Sequence, residues 1–256
     1  MWEGGSLWIL EGTTASRALA RASEMHSHHA VQVTIGLEGA FELEGGSHRI
    51  GGPIAAVAAD ARHAFKAVGL FANVFVEPES VAGRAISGRL FAAGVPLVAV
   101  PRELLGDLPA QLTIAFRERD RGDTALETLA RSVISRLAGD LTVPPPDARV
   151  RQILDWAATQ LDRPVSLVDA ARRVALSKDR LRHLFVEQTG LPLRSYLLWL
   201  RMTRAIEAFA AGSSLTEAAH QAGFADSAHF SRTFRRMFGT NAAALQVTAT
   251  PRQDGV

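Results

Sequence analysis

Hydrophobic and polar positions follow two different rhythms in the two halves of the chain. Between residues 30 and 78, apolar runs broken by glycine recur as AVQVTIGLEGAFELEGG, HRIGGPIAAVAAD and HAFKAVGLFANVFVEP, and residues Ala40 to Glu44 alternate. Such alternation, with glycine at each break, predicts strands assembled into a β-sandwich or barrel. Residues 84–93 and 124–138 read as helices. In the second of these, Leu126, Leu129, Val133 and Leu137 share one face, a stripe that either packs on the strands or forms a dimer seam.

Three consecutive prolines, Pro144 to Pro146, mark the change of rhythm, because neither a helix nor a central strand continues through them. The expected division is a domain over 1–143, a proline linker over 144–147 and a second domain over 148–256. Beyond the prolines the pattern is helical throughout. The expected fold class is therefore α+β in two domains: an N-terminal β-barrel with flanking helices and an all-α C-terminal domain.

The helical half contains an internal repeat. The segment Leu167–Leu176, LVDAARRVAL, matches Leu215–Phe224, LTEAAHQAGF, at an offset of 48 residues. Each copy reads as a short helix with paired alanines, a turn, and a second helix ending near glycine, at Gly190 and Gly239. Paired alanines allow a following helix to cross closely, as a helix-turn-helix unit requires. In the first unit Ser177 is the expected N-cap, and Leu181, Leu184 and Phe185 take the inward stripe. The opposite face then carries Asp179, Arg182, His183 and Val186, flanked by Lys178 and Arg180. In the second unit Phe230, Phe234, Met237 and Phe238 point inward, and Ala228, Ser231, Arg232 and Arg235 outward. Arg182 and Arg232 read as equivalent, one or two places after the first large inward residue. Between the units, Leu193 to Ala211 forms a long helix closed by Gly212, long enough to set two reading heads toward successive major grooves.

Charge sharpens this picture. The formal net charge is only +2, yet residues 1–146 carry 12 Arg, 1 Lys and 16 acidic residues, whereas residues 147–256 carry 14 Arg, 1 Lys and 10 acidic residues. The basic half is the one expected to meet a polyanion. An arginine on an outward face can offer two donors to guanine O6 and N7, while neighbouring bases and hydroxyls hold phosphates.

On these residues, about 147–246 resemble the DNA-binding domain of the AraC/XylS family of bacterial transcription regulators. The resemblance is carried by SLVDAARRVALSKDRLRHLFVEQTGLPLRSYLLWLRMTRAIEAF and SLTEAAHQAGFADSAHFSRTFRRMFG. It implies seven helices, two helix-turn-helix units joined by a long helix, and entry of the third and sixth helices into the major groove of double-stranded DNA. Base-facing positions then fall at Asp179, Arg182 and His183, and at Ser227, Ala228, Ser231 and Arg232. The sequence departs from the family after Gly239, where Thr240-Asn241-Ala242 leads to Ala244-Leu245-Gln246.

Five of the eight histidines lie in the first half: His26, His28, His29, His48 and His63. His26 and His28, two apart, are expected on one face of a strand. With a third histidine from a paired strand they make a reasonable site for a divalent Zn, Fe or Ni ion. The stretch resembles the first cupin motif, with His26-x-His28, Gln32 and Gly39, and Asp60-Ala-Arg-His63 resembles the second. Metal-binding cupins usually carry Glu where this chain has Gln32. A neutral amide gives an ion no charge, so the alternatives are an organic effector lined by His26, His28, Gln32 and His63, a metal held by His26, His28 and His63, or a structural barrel.

No charge-free run exceeds 15 residues, the N-terminus has no secretory pattern and the chain has no cysteine. A cytoplasmic protein with no membrane partner is therefore expected. The combined reading is a sequence-specific transcription regulator, not an enzyme, responding to a small effector or metal in its barrel. A homodimer and a contact with RNA polymerase follow from the resemblance. The competing class is a cupin metalloenzyme, an oxygenase or isomerase, fused to a DNA-binding domain.

Overall fold

The computed structural model describes residues 4–12, 21–118 and 122–242. The chain divides into two compact units, Met1–Val143 with Met237–Thr240, and Pro144–Arg236 with Asn241–Val256.

The first unit is built on one antiparallel sheet. Its strands are β1 (Gly5–Gly12), β2 (Arg21–Ala22), β3 (Val31–Gly45), β4 (His48–Gly51), β5 (Ile54–Val57), β6 (Ala64–Val76) and β7 (Leu97–Ala99). The main order is β1-β6-β3-β5-β7, with β2 on β6 and β4 on β3. The long strands β3 and β6 pair from Val31↔Val76 to Glu44↔Ala64, with a bulge between Gly36 and Glu38. Just beyond the bulge, Gly39 pairs with Gly69, at φ values of 131° and 83°. A Cβ on Gly39 would strike the Val68 carbonyl, and one on Gly69 the Glu38 carbonyl. Only glycine allows two backbones this close in these conformations.

Both faces of the sheet are buried. On one, Val31, Val33, Ile35, Ala72, Val74 and Val76 form a core beneath α1 (Val81–Leu90), α2 (Leu108–Arg117) and α3 (Gly122–Ala138). On the other, Phe41, Leu43, Val57, Phe65, Phe71 and Leu97 form a second core. Phe65 and Phe71, from opposite sides of the glycine pair, stand 5.0 Å apart. The stripe Leu126, Leu129, Val133 and Leu137 packs into the first core, so these residues serve the domain's own interior. Helix α1 starts three residues before the expected position because Ser80 caps it: the Gly83 amide donates to Ser80 Oγ at 2.9 Å. The flanking segment Phe91–Gly94 instead turns, with Gly94 at φ 73°. The pattern reading did not anticipate β1, β7 or α2.

The second unit is all helical: α4 (Ala148–Ala158), α5 (Leu167–Arg173), α6 (Lys178–Thr189), α7 (Leu193–Ala210), α8 (Leu215–Gln221) and α9 (Ser227–Phe238). The seventh helix expected from the family resemblance, with Ala244, Leu245 and Gln246, lies outside the described residues. A serine caps each of three helices, Ser166 for α5, Ser177 for α6 and Ser214 for α8, each accepting a backbone N–H from the first turn. For α9 the role falls to Asp226, whose carboxylate accepts the His229 amide at 2.6 Å. Such caps satisfy donors that would otherwise lack a partner. Val150, Ile153, Ala170, Ala171, Leu181, Phe185 and Tyr196 form the core of the first half of this unit. Phe224 packs edge-to-face on Phe230, which meets Phe234 at a tilt, through the second.

The glycine pair generates a direct expectation. Gly69→Ala should cost about 3–5 kcal/mol, combining left-handed backbone strain with a backbone collision. Gly46→Ala is a control with φ 60° and open space around it, and should cost only about 1–2 kcal/mol. Urea unfolding of both variants measures the difference, and equal losses would show that the close approach is not limiting.

Candidate functional site

The face of the sheet turned away from the helices carries polar residues at one end. Gln32 and Thr34 alternate along β3 with Val33 and Ile35, and on β6 Asn73 and Phe75 alternate with Ala72 and Val74. The register places Gln32 opposite Phe75 and Thr34 opposite Asn73. His26 and His63 complete the group through a two-hydrogen-bond backbone bridge, each amide donating to the other's carbonyl at 2.9 Å. His28 joins them, its ring 5.1 Å from that of His63 and 5.7 Å from that of His26. The structure thus brings His26, His28, Gln32 and His63 together, but not in the expected way. Residues 23–30 do not form a regular strand. The bridge to His63, not strand alternation, gathers the imidazoles.

All of these side chains are buried, so each polar atom needs a partner within the protein. His28 Nε2 donates to Gln32 Oε1 at 2.9 Å. Gln32 Nε2 donates to Thr34 Oγ1 at 2.9 Å, and Thr34 Oγ1 donates to Asn73 Oδ1 at 2.8 Å. His63 Nε2 lies 3.3 Å from Gln32 Oε1. The Nδ1 atoms of His26 and His63 donate to the carbonyls of Glu24 and Ala61, each two residues earlier, at 2.8 and 2.9 Å. Those bonds fix ring orientation and leave both Nε2 atoms aimed into the cluster. Thr34 and Asn73 were missed from sequence. Thr34 had a signal, two residues from Gln32 on the same face, whereas Asn73 depends on a long-range register.

Burial disfavours the charged form of these rings. It lowers His26 and pushes His63 down to about 4, in the latter case with repulsion from His26. It also drives His28 well below the ordinary histidine value, helped by His63 and His26. Three neutral imidazoles whose ligand atoms lie within 4.8 Å of one another match the donor set of a borderline divalent ion.

The two remaining histidines do not join this group. His48 is exposed on β4. His29 is buried, but its Nδ1 donates to Asp60 Oδ2 at 2.7 Å and its Nε2 to Glu79 Oε1 at 2.5 Å. Burial would lower its pKa, but the hydrogen bonds and charges of Asp60 and Glu79 prevail and raise it to about 9. His29 is thus an imidazolium, unavailable to a metal.

In the helical unit, Lys178, Asp179, Arg180, Arg182 and His183 are exposed along α6, while Leu181, Leu184 and Phe185 are buried. Asp179 Oδ1 lies 3.9 Å from Arg182 Nη2. On α9, Ala228, Ser231, Arg232 and Arg235 are exposed and Ser227 is half-buried; Ser231 Oγ donates to the Ser227 carbonyl at 2.8 Å. The apparent equivalence of Arg182 and Arg232 does not hold in the structure. Counted from the buried positions Leu181 and Phe230, or from the caps Ser177 and Asp226, the second helices correspond at an offset of 49. Arg182 therefore matches Ser231, and His183 matches Arg232.

Residues 170–246 match a family model described as "Helix-turn-helix domain". Over 94 residues the chain is 38% identical to the HTH-type transcriptional activator RhaS of Escherichia fergusonii, covering 36% of this chain and 34% of that protein. It is 37% identical over 93 residues to RhaS of Citrobacter koseri, again covering 36% and 34%. The chain thus matches about a third of the length of these curated relatives. ToxT from Vibrio cholerae O395 has a similar fold across both units, with a TM-score of 0.61, 12% identity and coverage of 96% of this chain and 97% of that one. A structure of ToxT with bound unsaturated fatty acid is similar, with a TM-score of 0.59, 13% identity and 98% coverage of each chain. Among the described residues, no helix is long and apolar enough to cross a membrane.

Thr34→Val removes a donor and an acceptor while preserving shape, leaving Gln32 Nε2 and Asn73 Oδ1 only their long mutual bond of 3.4 Å. It is expected to cost about 1–3 kcal/mol in urea unfolding. A loss below about 0.5 kcal/mol would mean that the chain of amides is not what holds Gln32.

Proposed function

We propose that the protein, whose helical domain matches a helix-turn-helix family model and resembles that of the AraC/XylS family of bacterial transcription regulators, binds double-stranded DNA sequence-specifically and regulates transcription in response to an effector held at the histidine cluster. The carrying observation is the pair of capped helices α6 and α9, each burying an apolar face and presenting arginine to solvent. In this reading Arg182, His183, Ser231 and Arg232 face base edges, with Asp179, Ser227 and Ala228 beside them. Lys178, Arg180 and Arg235 hold phosphates. Helix α7, 18 residues long, spans about 27 Å, comparable with the roughly 34 Å between successive major grooves. Homodimerisation and contact with RNA polymerase extend this reading on the family premise alone.

Among the possible effectors, the cluster itself favours a divalent metal ion. Gln32 is engaged by His28 and Thr34, and the buried, neutral rings of His26, His28 and His63 offer nitrogen donors within 4.8 Å of one another. Bound there, an ion would supply a positive charge that draws the three rings together. Reading the centre as a sensor, and not as the metal site of an oxygenase or isomerase, rests on Gln32: an amide adds no negative charge to hold a metal through turnover. To alter transcription, the ion must bind two states of the protein with different affinity.

Arg232→Ala is expected to weaken binding to the specific site by about 1–3 kcal/mol and to relax preference at one base pair, in titrations against a selected operator. Equal loss on random DNA would make Arg232 a phosphate contact, and a flat dependence of affinity on salt would overturn the DNA reading. For the centre, protein purified without a histidine tag should contain about one Zn, Ni or Fe per chain by elemental analysis, a content lost in the His26→Ala/His63→Ala variant. Wild-type protein that stays metal-free after reconstitution would remove the metal and leave an organic effector.

A further inference from the structure

A charged cluster, with His29 and Glu79 buried and the Asp60 side chain 38% exposed, lies next to the histidine centre without contributing a ligand to it. His29 directly follows His28. Its ring joins Asp60, three residues before His63, to Glu79, the residue before the α1 cap Ser80. Asp60 holds this region a second time, because its amide donates to the His28 carbonyl at 2.9 Å. Asp60 does so from a left-handed conformation, φ 61°. Beside the two backbone bonds of the His26–His63 bridge, the segments carrying His28 and His63 are thus tied by one further backbone bond and one charged side-chain bond. Glu79, whose side chain is only 8% exposed, anchors both to the start of a helix.

We propose that the His29–Asp60–Glu79 cluster is the positioning device of the histidine centre, setting the spacing of His28 and His63 for a divalent metal ion. This rests on the metal reading above. Tetrahedral coordination with metal–nitrogen distances of about 2.0–2.1 Å requires ligand nitrogens roughly 3.3 Å apart. Ligand atoms within 4.8 Å of one another need only a small contraction to reach that geometry. The contraction is small only while the backbone around His28 and Asp60 stays in place. Both ring nitrogens of His29 are spent on carboxylates, so the ring acts on the centre through its neighbours alone. A cluster with a purely structural role would change thermal stability and leave metal affinity untouched.

The test is Ni(II) titration calorimetry on the full chain, repeated with Zn(II), for wild type, His29→Gln, Glu79→Gln and His48→Gln. Circular dichroism melting confirms that each is folded at the assay temperature. His29→Gln is expected to raise the Kd by about 10–100-fold, the usual effect of losing an outer-shell partner. Glu79→Gln, which keeps an acceptor and loses the charge, should raise it less. His48→Gln, at an exposed position on β4, should leave it unchanged. Should His29→Gln fail to fold, Glu79→Gln decides. Variants that bind Ni(II) within twofold of wild type would overturn the positioning role while the metal reading stands. Wild-type protein that takes up neither ion would overturn the metal reading, and this inference with it.

Discussion

The N-terminal domain depends on one backbone contact, the pairing of Gly39 with Gly69. Strands β3 and β6 are 15 and 13 residues long, and their paired length would otherwise expose one face. At the glycine pair the chains approach too closely for any side chain, so the ladder continues while the sheet folds. One face then lies beneath three helices, and the other closes on its own aromatic residues. Gln32, Thr34 and Asn73 on the inner face are thereby removed from water along with its apolar core. The chemistry of Gln32, Thr34, Asn73 and the three histidines follows from that enclosure.

Within the enclosure, the fate of each histidine is decided by what its nitrogens meet. His26 and His63 use the same local device, an Nδ1–H bond to the carbonyl two residues back, which leaves Nε2 pointing inward on a neutral ring. His28 finds an amide oxygen, which satisfies an N–H without favouring positive charge. His29, one residue later, meets two carboxylates and keeps its proton. Adjacent residues of one type are therefore pushed in opposite directions, to well below the ordinary value for His28 and to about 9 for His29. Desolvation sets the direction for the first, and paired negative charge overrides it for the second. Neutral rings can serve as ligands, and the charged ring can serve as a fastener.

Much of this was legible in the sequence where the controlling interactions are local. The glycine-punctuated runs between residues 30 and 78 correspond to β3, β4, β5 and β6, and the paired alanines of α5 and α8 are buried as their spacing implied. The Ser177 cap and the inward stripes of α6 and α9 were equally readable, because periodicity and capping act within a few residues. Strand β1 was not, since GSLWILEG carries a continuous apolar run with no alternation and owes its place to pairing with β6. Helix α2 was hidden by Pro109, which sits within its first turn, where a missing N–H costs nothing. The roles of Asn73, Asp60 and Glu79 were hidden for the same reason as β1: each depends on a partner more than 30 residues away. Gln32 was legible as a departure from a motif, but its saturation by Thr34 and His28 required the register.

The two helix-turn-helix units show how a duplicated scaffold acquires two different faces. Their first helices align at an offset of 48 and their second helices at 49, so the second turn contains one more residue. Both turns pass through a left-handed residue at the same place, Ala175 at φ 51° and Gly223 at φ 80°. At Gly223 a Cβ would strike the Leu161 carbonyl, so glycine is obligatory there. In the first turn alanine is tolerated, at a strain of roughly 1–2 kcal/mol. The extra residue shifts the whole second helix, buried stripe and exposed face together, by one position relative to the repeat of the first helices. Arg182 therefore stands where the second unit has Ser231, and Arg232 where the first has His183. Helix α6 presents a dense set of charges, Lys178, Asp179, Arg180 and Arg182, whereas α9 presents small side chains around Arg232 and Arg235. Two helices with such different donor and acceptor sets cannot favour the same base pairs, because each base edge offers its own pattern in the major groove. In the DNA-binding reading proposed above, the matching site is accordingly two unlike half-sequences, not a direct repeat.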